Sequence, residues 1–231
     1  MATTAPVRTL RVAATRQPPD LSLDGDIKFH LFLSHTWNSG QDQVAVIKRQ
    51  MQLLLPGIKV FLDVEDLENL EDLEMYVAQS QAVLLFYSRG YFFSENCLRE
   101  ASAASRSCLP TARVPPHTTR VLRLRIAREP SEHHRNRPSR QVDEAIRLKK
   151  HLIVTHEADP QRGGVELAVI RADCESKDRD ADLLFDQRTI IPWLRLAEFQ
   201  LQSLKMIAEA LVPTLPQYTT KVGGSRHLST I

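Results

Sequence analysis

Residues 27–40 read IKFHLFLSHTWNSG, and the fold turns on how this stretch is taken. Residues 27–35 are mostly apolar, with LDGD before them and NSG after, both of which favour turns. A short, nearly continuous apolar run between turn signals is a strand buried on both faces. Residues 41–57, QDQVAVIKRQMQLLLPG, change period: Val44, Ile47, Met51 and Leu54 fall at helical spacing, and Pro56-Gly57 stops the helix.

The alternation continues outward. IKVFLDV (58–64) is a second short strand, and the acid-rich EDLENLEDLEMYVAQS (65–80) places Leu70, Leu73 and Val77 on one helical face. AVLLFYS (82–88) is a third strand, RGYF a turn, and SENCLRE (94–100) opens a helix with Ser94 as its N-cap. VDEAIRLKK (142–150) is helical, HLIVTHE (151–157) a fourth strand, GGVELAVIRADC (163–174) a helix and RTIIPW (188–193) a short fifth strand. A long amphipathic helix follows, with Leu204, Ile207 and Leu211 inward. Buried strands alternating with amphipathic helices predict a parallel sheet covered on both faces, because each parallel connection needs a crossover. The expected fold is α/β, a flavodoxin-like doubly wound five-stranded parallel sheet.

This regular pattern occupies residues 27–212, with residues 101–141 standing apart. That segment has nine Arg, no Lys and five Pro, and its net charge of +7 leaves −5 for the rest of a chain whose formal charge is +2. It lacks a core-forming period and aromatics interleaved for base stacking, so it reads as a disordered insertion and not as a nucleic-acid site. Residues 1–26 are expected to be disordered; the Arg, Ala and Thr of the first 23 would also suit an organelle transit peptide. Residues 213–231 read as a flexible tail. Cys97, Cys108 and Cys174 are too few and too scattered for a disulfide framework or a zinc site and point to a reducing compartment, the cytoplasm. No apolar run reaches the roughly 20 residues of a membrane-spanning helix.

In an open α/β sheet ligands sit beyond the carboxyl ends of the strands. That rule selects Ser34, His35, Thr36 and Trp37 after the first strand, Asp63 to Asp66 after the second, Ser88, Arg89 and Gly90 after the third, and Glu100 early on the following helix. The first strand lacks both a GxGxxG and a P-loop, which disfavours a dinucleotide held by its pyrophosphate. A phospho-receiver site at Asp63 would need acids after the first strand, where Ser-His-Thr-Trp stands. His30, His35, His151 and His156 occur singly, and no metal site is expected.

HLFLSHTWNSGQDQ, VFLDVEDLE, AVLLFYSRGYFFSENCLRE and RTIIPW together resemble the successive motifs of the Toll/interleukin-1 receptor (TIR) domain. The family's first box is a strand ending in Ser-Tyr or Ser-His, its second strand ends in Asp and opens the BB loop, and its third strand ends in Ser. In plant immune-receptor members the third helix opens with Trp-Cys-x-x-Glu, the glutamate being catalytic in members that cleave NAD+; here the string is Asn96-Cys97-Leu98-Arg99-Glu100. The resemblance implies a signalling protein. In one form Glu100 is the catalytic carboxylate for breaking the nicotinamide–ribose bond of NAD+, which is a substrate and not a cofactor. Ser34, Thr36, Trp37, Asp63, Asp66, Ser88 and Cys97 would then line the site. In the alternative form the domain is a non-catalytic scaffold that pairs with other TIR domains through its BB loop and helices. Either form implies a homo-oligomer when active, and neither implies nucleic acid or a membrane span.

Overall fold

The computed structural model describes residues 9–62, 73–93, 142, 145–177, 179–219 and 228–230. In chain order its main elements are β1 (Leu10–Val12), β2 (Phe29–Ser34), α1 (Gln41–Leu54), β3 (Val60–Phe61), α2 (Leu73–Ala78), β4 (Ser80–Tyr87), β5 (His151–His156), α3 (Leu167–Glu175), β6 (Ile190–Pro192), α4 (Ala197–Leu211), α5 (Pro216–Thr219) and β7 (Leu228–Thr230). A 3-10 turn at Tyr91–Phe93 follows β4, and a π turn at Asp182–Asp186 precedes β6.

The five central strands are all parallel, in the order β3-β2-β4-β5-β6, as the doubly wound expectation requires. β4 lies at the centre, and its residues 82–87 are buried throughout, which accounts for its unbroken apolar sequence. Successive side chains there go to opposite faces. Ala82, Leu84 and Phe86 join a core with Val44, Ile47 and Met51 of α1 and Leu204, Ile207 and Leu211 of α4. Val83, Leu85 and Tyr87 join a second core with Leu73 and Val77 of α2, Val142, Ala145, and Ile170 and Cys174 of α3.

Some boundaries differ from the sequence reading. Helix α3 starts at Leu167, and Gly163-Gly164 belongs to the loop before it, because Gly163 takes φ +83°. The termini differ more. Within residues 9–26 and 213–231, both expected to lack structure, β1 and β7 pair antiparallel with Leu10 opposite Thr230, Arg11 opposite Ser229 and Val12 opposite Leu228. The physical reason is apolar: Leu10 and Leu228 are buried members of the α1–α4 core. Among the described residues no helix is long and apolar enough to cross a membrane.

Candidate functional site

The carboxyl ends of the strands carry a set of loops bound to one another. After β2, Ser34 is buried and shares a hydrogen bond with the Tyr91 hydroxyl (2.7 Å). Ser39 donates its hydroxyl to the Arg89 carbonyl (3.0 Å) and contacts the Ser88 hydroxyl at 2.8 Å. Since Ser39 has only one hydroxyl proton, Ser88 is the donor in that second bond. The loop after β5 closes on the same place: the Arg89 amide donates to the Gly163 carbonyl (2.8 Å), and a β-carbon on Gly163 would stand 2.7 Å from that of Ser39. Only glycine lets the two backbones approach so closely.

The loop after β5 is fixed in turn by Glu157, a carboxylate that is 1% exposed at the end of its strand. One oxygen accepts the Asp159 amide (2.8 Å), and the other accepts from Arg195 Nε (2.7 Å) and Nη2 (2.6 Å). Arg195 follows β6 and also donates to the Arg162 carbonyl (3.2 Å). A buried carboxylate is tolerated only with this degree of pairing. Trp193, at the end of β6, is buried and donates its indole N–H to Gln43 at the start of α1 (2.8 Å).

The residues expected from sequence therefore divide. Ser34, Thr36 and Ser88 do lie together at the carboxyl edge, buried, with Trp37 half-buried beside them. Ser34 and Ser88 are fully buried and hydrogen-bonded to Tyr91 and Ser39, so contact of either with a ligand would require the loops to part. Asp63, Asp66, Cys97 and Glu100 lie outside the described residues. The sequence reading passed over Tyr91, Ser39, Gly163, Glu157 and Arg195, which hold the edge together. A usable signal existed for Glu157, an acid placed directly at a strand's carboxyl end. Among the described residues no group of three or more His, Cys, Asp or Glu is placed to hold a metal ion. Cys174 is a buried free thiol whose burial pushes its pKa up to about 11, which removes it as a nucleophile.

A second surface lies away from this edge, where α1 crosses α4. A groove of about 330 Å³ runs between Gln50, Leu53 and Leu54 on α1 and Ala197, Gln200, Leu201 and Leu204 on α4. Leu54 and Leu204 belong to the core, whereas Leu53 is 48% exposed. At the N-terminal end of α4, Leu196 is 69% and Phe199 54% exposed. An apolar groove with an exposed leucine at its rim is a candidate interaction surface.

A parallel β3-β2-β4-β5-β6 sheet with bound loops at its carboxyl edge defines a flavodoxin-like α/β domain. The sequence matches the family model of the TIR domain over residues 31–149, just over half of the chain, and the chain belongs to that family. It is a TIR-domain signalling protein. β5, β6 and α4 lie beyond the matched stretch, yet they complete the sheet and cover it in the order the fold demands. Among curated proteins the chain finds no match.

Proposed function

We propose that this chain signals by TIR–TIR association through the face formed by α1 and α4. The observation that carries the reading is a groove between α1 and α4, bordered by exposed Leu53 and partly buried Leu201, whose floor is continuous with the core. The partner is a second TIR domain, and the simplest is a second copy of this chain. Such a contact gains free energy from apolar area removed from water, at roughly 25 cal/mol per Å² before the costs of association. Ala197→Asp and Leu53→Asp each place a charge at the groove and leave the core untouched. Sedimentation velocity over a concentration series should show self-association weakened at least about tenfold in either variant, the equivalent of about 1.4 kcal/mol. Association equal to that of the parent in both would end the reading.

NAD+ cleavage is the second reading, supported by Cys97 and Glu100, which match the Cys-x-x-Glu part of the family's catalytic string although Asn96 stands where that string has Trp, and by half-buried Trp37 at the ligand edge. Breaking the nicotinamide–ribose bond develops positive charge on the ribose, which a fixed carboxylate at Glu100 would stabilise. Loss of one such electrostatic group typically costs on the order of 100- to 1000-fold in rate. A nicotinamide-release assay on the purified chain should show that loss in Glu100→Gln. Equal turnover by the two proteins would remove Glu100 from the chemistry.

A further inference from the structure

We propose that Arg89 and Arg162 form an anion subsite at the carboxyl edge of the sheet, one that takes the phosphate group of a phosphorylated ligand. The inference goes beyond both readings above, since it uses neither the α1–α4 groove nor Glu100.

Strand order gives the place. In the chain β2 is followed by β3, which lies on one side of it, and then by β4, which lies on the other, so the order of connection reverses between β2 and β4. Ligands of open α/β sheets sit in the crevice that opens at such a reversal, beyond the carboxyl ends of the strands. Arg89 follows the end of β4 by two residues and is exposed. Arg162 belongs to the loop after β5, one strand further along the sheet. That loop is drawn over to the reversal by the bond from the Arg89 amide to the Gly163 carbonyl (2.8 Å) and by the close approach of Gly163 to Ser39. Arg162, next to Gly163 and the last residue of a 3-10 turn that Asp159 caps, is carried with it and is exposed there.

The charges at this place are unbalanced. Arg89 Nη2 lies 3.5 Å from the Pro160 carbonyl oxygen and 3.4 Å from that of Gly164, so its guanidinium spans the turn whose middle residue is Arg162. The two acids of the loop are engaged elsewhere. Glu157 gives its oxygens to the Asp159 amide and to Arg195, and Asp159 Oδ1 accepts the Gln161 amide (3.0 Å). Among the described residues no carboxylate stands within ion-pair distance of Arg89 or Arg162, whereas Arg171 holds three acids, Arg195 one and Lys205 one. A guanidinium keeps its charge at every physiological pH, and its planar fork of N–H donors fits the oxygens of a phosphate. Two of them on one turn, without an acid between, favour a doubly charged phosphate over a neutral ligand. A soluble phosphate ester and the headgroup of a phosphorylated lipid present the same group.

The test has two arms on the full chain at low ionic strength. In one, inorganic phosphate is titrated and the amide NMR shifts of residues 88–90 and 161–164 are followed. In the other, the protein is co-sedimented with phosphatidylcholine vesicles that contain or lack a phosphatidylinositol phosphate. Saturable shifts at those amides identify a soluble phosphate as sufficient, and binding confined to the phosphorylated vesicles identifies a lipid headgroup. Arg89→Gln and Arg162→Gln should each weaken the binding at least about tenfold. Arg162→Lys, which keeps the charge and loses the fork, should weaken it less, and Lys205→Gln, on α4, should leave it as it was. If either glutamine variant loses its fold, with hydrogen exchange showing β4 unprotected, the other variant and Arg162→Lys decide. Binding equal to the parent in both glutamine variants, an equal loss in Lys205→Gln, or no binding in either arm overturns the subsite.

Discussion

Gly163 and Gly57 separate two reasons for a glycine. Both have positive φ, +83° and +94°, but a β-carbon on Gly57 meets nothing within 4 Å while one on Gly163 collides with Ser39. Gly57→Ala should cost only the backbone conformation, about 1 kcal/mol, and Gly163→Ala at least about 1 kcal/mol more, since both Ser39 and the Arg89–Gly163 bond must move. Urea denaturation of the two variants measures the difference. Glu157→Gln should destabilise the protein by about 3 kcal/mol, toward the lower end for breaking a buried ion pair because Arg195 keeps some contact with water. Gly163 did not stand out in the sequence as part of the edge, and for Glu157 the sequence showed only its place at a strand end, not its partner. Their partners Ser39 and Arg195 are far away along the chain, and long-range hydrogen bonds leave no local periodicity to read. The strand-end rule did bring out Ser34, Thr36, Trp37 and Ser88, because it needs only strand boundaries and direction.

Among the elements, β2 shows how a strand end carries charge behaviour. His30 accepts the Lys59 amide at Nδ1 (2.9 Å), so its proton sits on Nε2 and is donated to the Leu21 carbonyl. Burial, with the Lys59 charge adding to it, holds the imidazole pKa below its ordinary 6.5. His151, opening β5, is lowered in the same direction by burial and by Arg188. A histidine whose pKa is lower in the folded state binds its proton first in the unfolded one. The full stability is thus present above about pH 6.5 and is lost as pH falls toward the folded-state values. Unfolding free energy measured from pH 8 to pH 5 should fall, and His30→Gln should flatten part of that fall. The sequence showed His30 only as a structural histidine near a strand. Its partner at Leu21 depends on where the N-terminal segment crosses the fold, which three-residue strands such as β1 and β7 are too short to announce.

For the whole molecule, the two cores meet at β4, and Leu84 is fully buried at its middle. Leu84→Ala should cost about 3 kcal/mol, in the range for deleting buried leucine side chains, and thermal or urea unfolding would show it as one cooperative loss. Sheet order and the two-sided covering were legible from the alternation of short apolar runs with helical periods, since parallel strands leave few other arrangements. β4 and β5 are hydrogen-bonded neighbours over six register pairs, from Ala82 opposite His151 to Tyr87 opposite His156. Their separation in space is therefore set by the sheet, whatever conformation the residues joining them take. In polymer terms the joining chain enters stability through the entropy of closing a loop, which grows only with the logarithm of its length. Lengthening that connection from about 20 residues to about 60, which is what residues 101–141 do, costs about 1 kcal/mol by this reckoning. Deleting 101–141 should accordingly leave the urea midpoint almost where it was. A fold that pins both ends of a connection so firmly can carry a long and compositionally foreign passage at little thermodynamic cost.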